Sequence, residues 1–152
     1  MIKQTKSKQV QLLIRIIAFC GLNKDHIAGN ARLGIRPLSL KDFDFGSKEI
    51  SVPRYSRKYR KFMEIRQPVD GLTVEMVREY AHLKGIEGDQ PLFAIERKRI
   101  SRTILFAGLR ARVPVYRHSW TVHKLQIFFL SHIQQGFGAS YRSRVRGLDI
   151  AV

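Results

Sequence analysis

Cysteine is nearly missing from this chain. Cys20 stands alone among 152 residues, so neither an internal disulfide nor a thiolate metal cluster can form. Lying in the apolar run from Ile16 to Leu22, it reads as a core-packing residue. The five histidines are scattered without ligand spacing, so no metal site and no cofactor is expected. Long apolar runs are missing too: none approaches the roughly 20 residues that cross a bilayer. The start, Met1-Ile2-Lys3-Gln4-Thr5-Lys6, lacks a signal-peptide pattern, so a cytoplasmic protein without a membrane partner is the expectation. No internal repeat or low-complexity tract organises the chain.

Acidic residues are the last scarcity. Against 12 Asp and Glu stand 28 Lys and Arg, a formal net charge of +16. Such a field attracts phosphate backbones by counterion release, and with aromatics interleaved among the charges it points to nucleic acid. A basic surface kept for solubility, or directed at acidic lipid, is the competing reading. The 44% hydrophobic content suffices for one core, and a single domain over residues 1–152 is expected.

Residues Ser7 to Leu22 are apolar on more than one face, which predicts a buried helix ending at Gly21. A short helix follows over Asn23 to Ala31, broken by Gly34-Ile35-Arg36-Pro37. Leu38 to Phe45, Ile50 to Val52 and Phe62 to Ile65 predict a three-stranded antiparallel sheet, the first strand irregular at Lys41-Asp42. Five cations, Arg54, Arg57, Lys58, Arg60 and Lys61, crowd the connection between the last two strands. A helix is expected over Thr73 to Lys84, with Thr73 as its cap and Gly85 as its end. Pro91-Leu92-Phe93 reads as a buried anchor before a helix from Ser101 to Arg112 with Ile104, Leu105 and Leu109 inward. Thr121 to Gly136 predicts an amphipathic helix carrying Leu125, Phe128, Phe129, Leu130 and Ile133 at helical spacing.

That last stretch, Thr121-Val122-His123-Lys124-Leu125-Gln126 followed by aromatics, His132 and Gly136, resembles the signature helix of tyrosine recombinases, the phage-integrase family. The third residue after the first histidine is there an arginine that grips the scissile phosphate; here it is Gln126. Gly21-Leu22-Asn23 with His26 resembles the family's first box, with Asn23 for its arginine and His26 for its glutamate. Leu38 to Asp44 is similar to the strand that follows, with Asn30 to Pro37 as an insertion. A second register places Gly34-Ile35-Arg36-Pro37 on that box and supplies Arg36. Another uses Arg117-His118-Ser119-Trp120 as the arginine box in place of Gln126. The family's catalytic lysine belongs in the basic hairpin, where Arg57, Lys58, Arg60 and Lys61 compete for its place. Pro91-Leu92-Phe93 and the next helix resemble the element that lies along DNA. Gly147-Leu148 matches a Gly-His pair, with leucine for histidine. The nucleophilic tyrosine would follow, but the sequence ends at Val152, and Tyr141 matches a packing position.

The resemblance implies an α+β, mainly α fold, an integrase catalytic-domain-like helical core with a small three-stranded antiparallel sheet and the Thr121 to Gly136 helix at its centre. It also implies a degenerate site, since Asn and Gln carry no charge and cannot form the arginine fork, and no catalytic residue is assigned. Double-stranded DNA is the expected partner. Its contacts are expected from Arg54, Arg57, Lys58, Arg60 and Lys61, from Arg97, Lys98, Arg99 and Arg102, from His123 and Lys124, and from Arg142 and Arg144. The family's N-terminal DNA-clamping domain is not expected here, so a homodimer or a partner DNA-binding protein would complete the footprint. A transcriptional or architectural regulator from a mobile element is the leading expectation. An active site-specific recombinase subunit is the alternative, and a basic RNA-binding module a further one.

Overall fold

The computed structural model describes residues 8–110 together with Leu125, Phe128 and Phe129. Helix α1, Lys8–Cys20, buries eight of its residues, among them Leu12, Leu13, Ile16 and Ile17, as expected of a helix apolar on several sides. It packs against α3 (Gly71–Lys84) and α4 (Arg97–Arg110). Arg15 ties α1 to the start of α3 by donating to Thr73 Oγ1 (2.8 Å) and Asp70 Oδ2 (2.7 Å), and its guanidinium lies 4.1 Å from the Phe19 ring centroid. A short helix α2, Lys24–Ala28, follows α1, and Ala31–Leu33 forms a single 3-10 turn.

The sheet has the order β1-β2-β3 and is antiparallel throughout, with β1 at Phe43–Asp44, β2 at Glu49–Ser56 and β3 at Lys61–Pro68. β1 is much shorter than the strand expected over Leu38 to Phe45. Ser39 and Asp42 form a capping box there, so Leu40–Asp42 winds into a 3-10 turn at the irregular step. Because β1 covers only Glu49 and Ile50, the rest of β2 is an edge among the described residues, which accommodates Pro53. Every second residue of β2 from Ile50 to Ser56 is buried.

Helix α3 begins at Gly71 and is capped by Asp70, not Thr73: the Asp70 side chain accepts from Thr73 N (3.1 Å), and the Thr73 side chain bonds Asp70 and Arg15 instead. The Pro91-Leu92-Phe93 anchor is in place, with Leu92 and Phe93 buried and Leu92 N donating to Leu38 O at 2.7 Å. Helix α4 starts four residues earlier than expected. Its buried stripe is Ile100, Ile104, Ala107 and Gly108, which leaves Leu105 and Leu109, both expected inward, one position off the stripe and exposed. Of the helix expected at 121–136, Leu125 and Phe129 are buried, while Phe128 is on the surface with its ring 5.8 Å from Phe19. Among the described residues α1 supplies more of the core than any other element. No helix among them is long and apolar enough to cross a membrane.

Candidate nucleic-acid interface

The β2–β3 ribbon closes on a four-residue loop, Arg57-Lys58-Tyr59-Arg60, between the paired Ser56 and Lys61. Ser56 Oγ accepts from Tyr59 N at 3.3 Å, and Arg60 takes a left-handed conformation (φ 52°), so the tip has a defined shape. Arg57, Lys58, Arg60 and Lys61 are exposed. Two aromatics accompany them. Tyr59 lies 5.2 Å under the Lys58 ammonium, and Tyr55 packs edge-on against its cross-strand partner Phe62 with centroids 5.4 Å apart.

Arg54 does not join this group, contrary to expectation. It occupies an inward position of β2 and is only 5% exposed. Its guanidinium donates to Gly21 O (3.3 Å) and Gln67 Oε1 (3.3 Å), while Gln67 Nε2 donates to Cys20 O (2.6 Å). Two buried side chains from adjacent strands thereby satisfy carbonyls at the C-terminal end of α1, where a cation also opposes the negative end of the helix dipole. The alternation of Ile50 and Val52 carries the signal for this: period two sends Arg54 and Ser56 to the same face. Cys20 is fully buried beside them, its thiol pushed up to about 12 by burial, as a packing residue should be.

The segment that matches the first box lies directly above. Gly21 turns the chain at φ 68°, and the Phe129 ring is seated on it so closely that a Cβ would overlap the ring carbons. The two motifs that carry the family resemblance, more than a hundred residues apart in sequence, are therefore in contact. Asn23 caps α2 in a reciprocal capping box: its side chain accepts from His26 N (3.0 Å), and its own N–H donates to His26 Nδ1 (3.2 Å). The usual capping box has Glu or Gln in the second role, which is why the sequence did not announce this one. The Pro53 carbonyl of β2 faces His26 and favours its protonated form. Arg36, the arginine of the alternative register, is engaged elsewhere. It pairs with the buried Asp42 and donates to Ser39 Oγ at 3.0 Å, beside a cleft of about 240 Å³ that it shares with His26 and Glu64.

Burial, reinforced by the Arg54 charge, lowers the His26 pKa from 6.5 to about 4. The imidazole is neutral at pH 7, with Nδ1 accepting from the Asn23 N–H. A base whose folded pKa lies below its unfolded one is protonated first in the unfolded chain. The stability it protects is therefore complete above about pH 6.5 and is lost progressively as the pH falls toward 4, by up to about 3 kcal/mol. Urea midpoints measured across this range are expected to fall more steeply for the native chain than for His26→Gln. An imidazole that titrates in the folded protein near 6.5 by NMR would contradict this.

On α4, Arg97, Lys98, Arg99 and Arg102 are all exposed, and Arg97 Nε pairs with Asp25 at 2.6 Å. Lys98 lies 3.5 Å from Glu96. His123, Lys124, Arg142 and Arg144, with Arg117, Gln126, Tyr141 and Leu148, lie outside the described residues. Among the described residues no group of three or more His, Cys, Asp or Glu is placed to hold a metal ion.

No sequence-family model matches the chain, and no characterised protein matches it by sequence. Its structure does find counterparts. An integrase from mycobacterium phage Brujita superposes with a TM-score of 0.59 at 19% identity, over 82% of this chain and 37% of the integrase. XerA recombinase superposes with a TM-score of 0.58 at 17% identity, over 97% of this chain and 60% of the recombinase. The chain thus spans less than two thirds of either counterpart's length. With a helical core, a three-stranded antiparallel sheet and these counterparts, the chain has the integrase-like, tyrosine-recombinase fold that its motifs imply.

Proposed function

We propose that the chain binds double-stranded DNA through the β2–β3 hairpin tip and the basic start of α4, and does so without cutting it, as a transcriptional or architectural regulator of a mobile element. One observation carries this reading. Arg57, Lys58, Arg60 and Lys61 are exposed together at the end of a ribbon and make no ion pair with any described residue. Four uncompensated cations on a shaped projection repel one another until a polyanion arrives, and a phosphate backbone is such a polyanion. Arg97, Lys98, Arg99 and Arg102 extend the contact, and His123, Lys124, Arg142 and Arg144 complete the proposed set. The likeness to an integrase and a recombinase supports DNA as the ligand.

The same likeness favours a second reading, an active recombinase subunit. Against it stand Asn23, Gln126 and Leu148 at positions where the family uses charged or hydrogen-bonding catalytic groups. Binding tolerates such losses far better than chemistry does, since many dispersed cations position a duplex.

The test is a salt titration of duplex binding with the fourfold variant Arg57→Ala, Lys58→Ala, Arg60→Gly, Lys61→Ala, in which glycine suits the left-handed φ at position 60. Affinity is expected to fall, and the slope of log K against log salt to flatten by up to about 0.9 per lost phosphate contact. Unchanged affinity and slope would remove the hairpin from the interface. Selection of binding sites from random duplex DNA then separates a regulator, which enriches a motif, from an architectural factor, which does not.

A further inference from the structure

The stretch after α2 forms a closed projection tied to α4 through one carboxylate. Asn30 and Ile35 pair by Asn30 N to Ile35 O (2.8 Å) and Ile35 N to Asn30 O (3.0 Å). Gly34, left-handed at φ 69°, donates to Ala31 O at 3.2 Å. At its base Gly29 (φ 79°) lies so close to Pro37 that a Cβ would stand 2.8 Å from the proline nitrogen, which fixes the exit of the loop. Asp25 Oδ1 accepts from Asn30 Nδ2 (3.1 Å) and forms an ion pair with Arg97 Nε (2.6 Å), while Asn30 Oδ1 accepts from Arg32 N (3.1 Å). The chain of bonds from Arg32 through Asn30 and Asp25 to Arg97 holds the loop beside the first turn of α4.

Charge follows from this placement. Asp25 is the acid at the junction, and Arg97 compensates it. The four residues of the tip, Ala31 to Gly34, are all exposed, and Arg32 makes no ion pair with any described residue. Its guanidinium is surplus positive charge on a braced loop that Asn30 and Asp25 tie to the basic start of α4.

We propose that this loop is a third duplex contact, in which Arg32 engages a backbone phosphate adjacent to those met by α4. The inference rests on the DNA-binding reading above. A braced loop presents its cation with little backbone ordering cost, because the Arg32 N–H is held by Asn30. The contact is to phosphate and so carries position, not sequence.

The experiment uses the full chain and a random-sequence duplex of about 30 base pairs, with binding measured over a series of salt concentrations. Arg32→Ala is expected to weaken binding and to flatten the salt slope by about 0.9, Arg32→Lys to retain the slope, and Leu33→Ser at the same tip to leave it unchanged. A second readout is independent of affinity. Cys20 is buried, so Arg32→Cys supplies the one accessible thiol, and a photoreactive group attached there is expected to cross-link to the duplex. If Arg32→Ala leaves both slope and affinity unchanged and no cross-link forms, while the fourfold hairpin variant still loses slope, this inference fails alone. If neither variant changes the slope, the DNA-binding reading fails with it.

Discussion

Gly21→Ala is expected to lower the unfolding free energy by about 3 kcal/mol or more, the largest single-residue effect on stability argued for this chain. Two costs coincide at this position. The left-handed φ of 68° carries about 1–2 kcal/mol for any residue with a Cβ. The added carbon also overlaps Cδ1 and Cε1 of Phe129, a ring 1% exposed, and overpacking in a closed core adds about 1–3 kcal/mol. Moving the Gly21 backbone to escape would disturb the Arg54 hydrogen bond to its carbonyl. Gly34→Ala and Gly85→Ala separate the terms. Both glycines have the same left-handed φ, 69° and 64°, with nothing near an added Cβ, so each should cost only the conformational part. Urea midpoints at constant m-value give the comparison, and a cycle with Phe129→Ala should show that Gly21→Ala costs much less once the ring is gone. Equal costs at all three glycines would mean that Phe129 yields without penalty.

The difference between Gly21 and the other two glycines illustrates what the sequence could and could not reveal. Helix α1 is legible from its run of apolar residues on several faces, and α3 and the β2–β3 ribbon because apolar residues repeat along each at its own period. Leu92 and Phe93 were legible as a pair of large apolar residues between polar runs. The features that depart from expectation share a cause: a neighbour distant in the chain overrides the local rule. Thr73 is a good cap in isolation, but Asp70, already drawn to Arg15 of α1, takes that role. Leu105 and Leu109 are more hydrophobic than Ala107 and Gly108, yet Ile100 and Ile104 set the stripe, and close packing on it suits small residues. Arg54 stands among charged neighbours in the sequence, yet strand alternation turns it inward. Nothing local in the sequence reports that Phe129 sits on Gly21 or that Asp25 holds both Asn30 and Arg97, because these are contacts between segments distant in the chain.

The candidate site depends on such contacts, and this bears on strand cleavage. With a nicked suicide duplex carrying its selected binding site, the protein is expected to leave no denaturation-resistant protein–DNA adduct, and Asn23→Arg is expected not to create one. Removing one preorganised donor from a reacting oxyanion typically costs about 10²–10³ in rate. On the proposed reading, Asn23, Gln126 and Leu148 together compound that loss beyond what a single restored arginine recovers. Asn23 is, moreover, committed to structure. Its side chain closes the capping box with His26, so Asn23→Arg should also cost about 1 kcal/mol of stability. Arg36 offers no substitute while Asp42 and Ser39 hold its guanidinium. The assay has a built-in control in Tyr141, the tyrosine nearest the C-terminal motif. An adduct that forms with the native chain and disappears in Tyr141→Phe would establish an active recombinase subunit and overturn the degenerate reading. Binding that persists at the same site without an adduct, in the native chain and in both variants, is the expected outcome, because phosphate contacts spread over many cations survive the loss of groups that only the transition state requires.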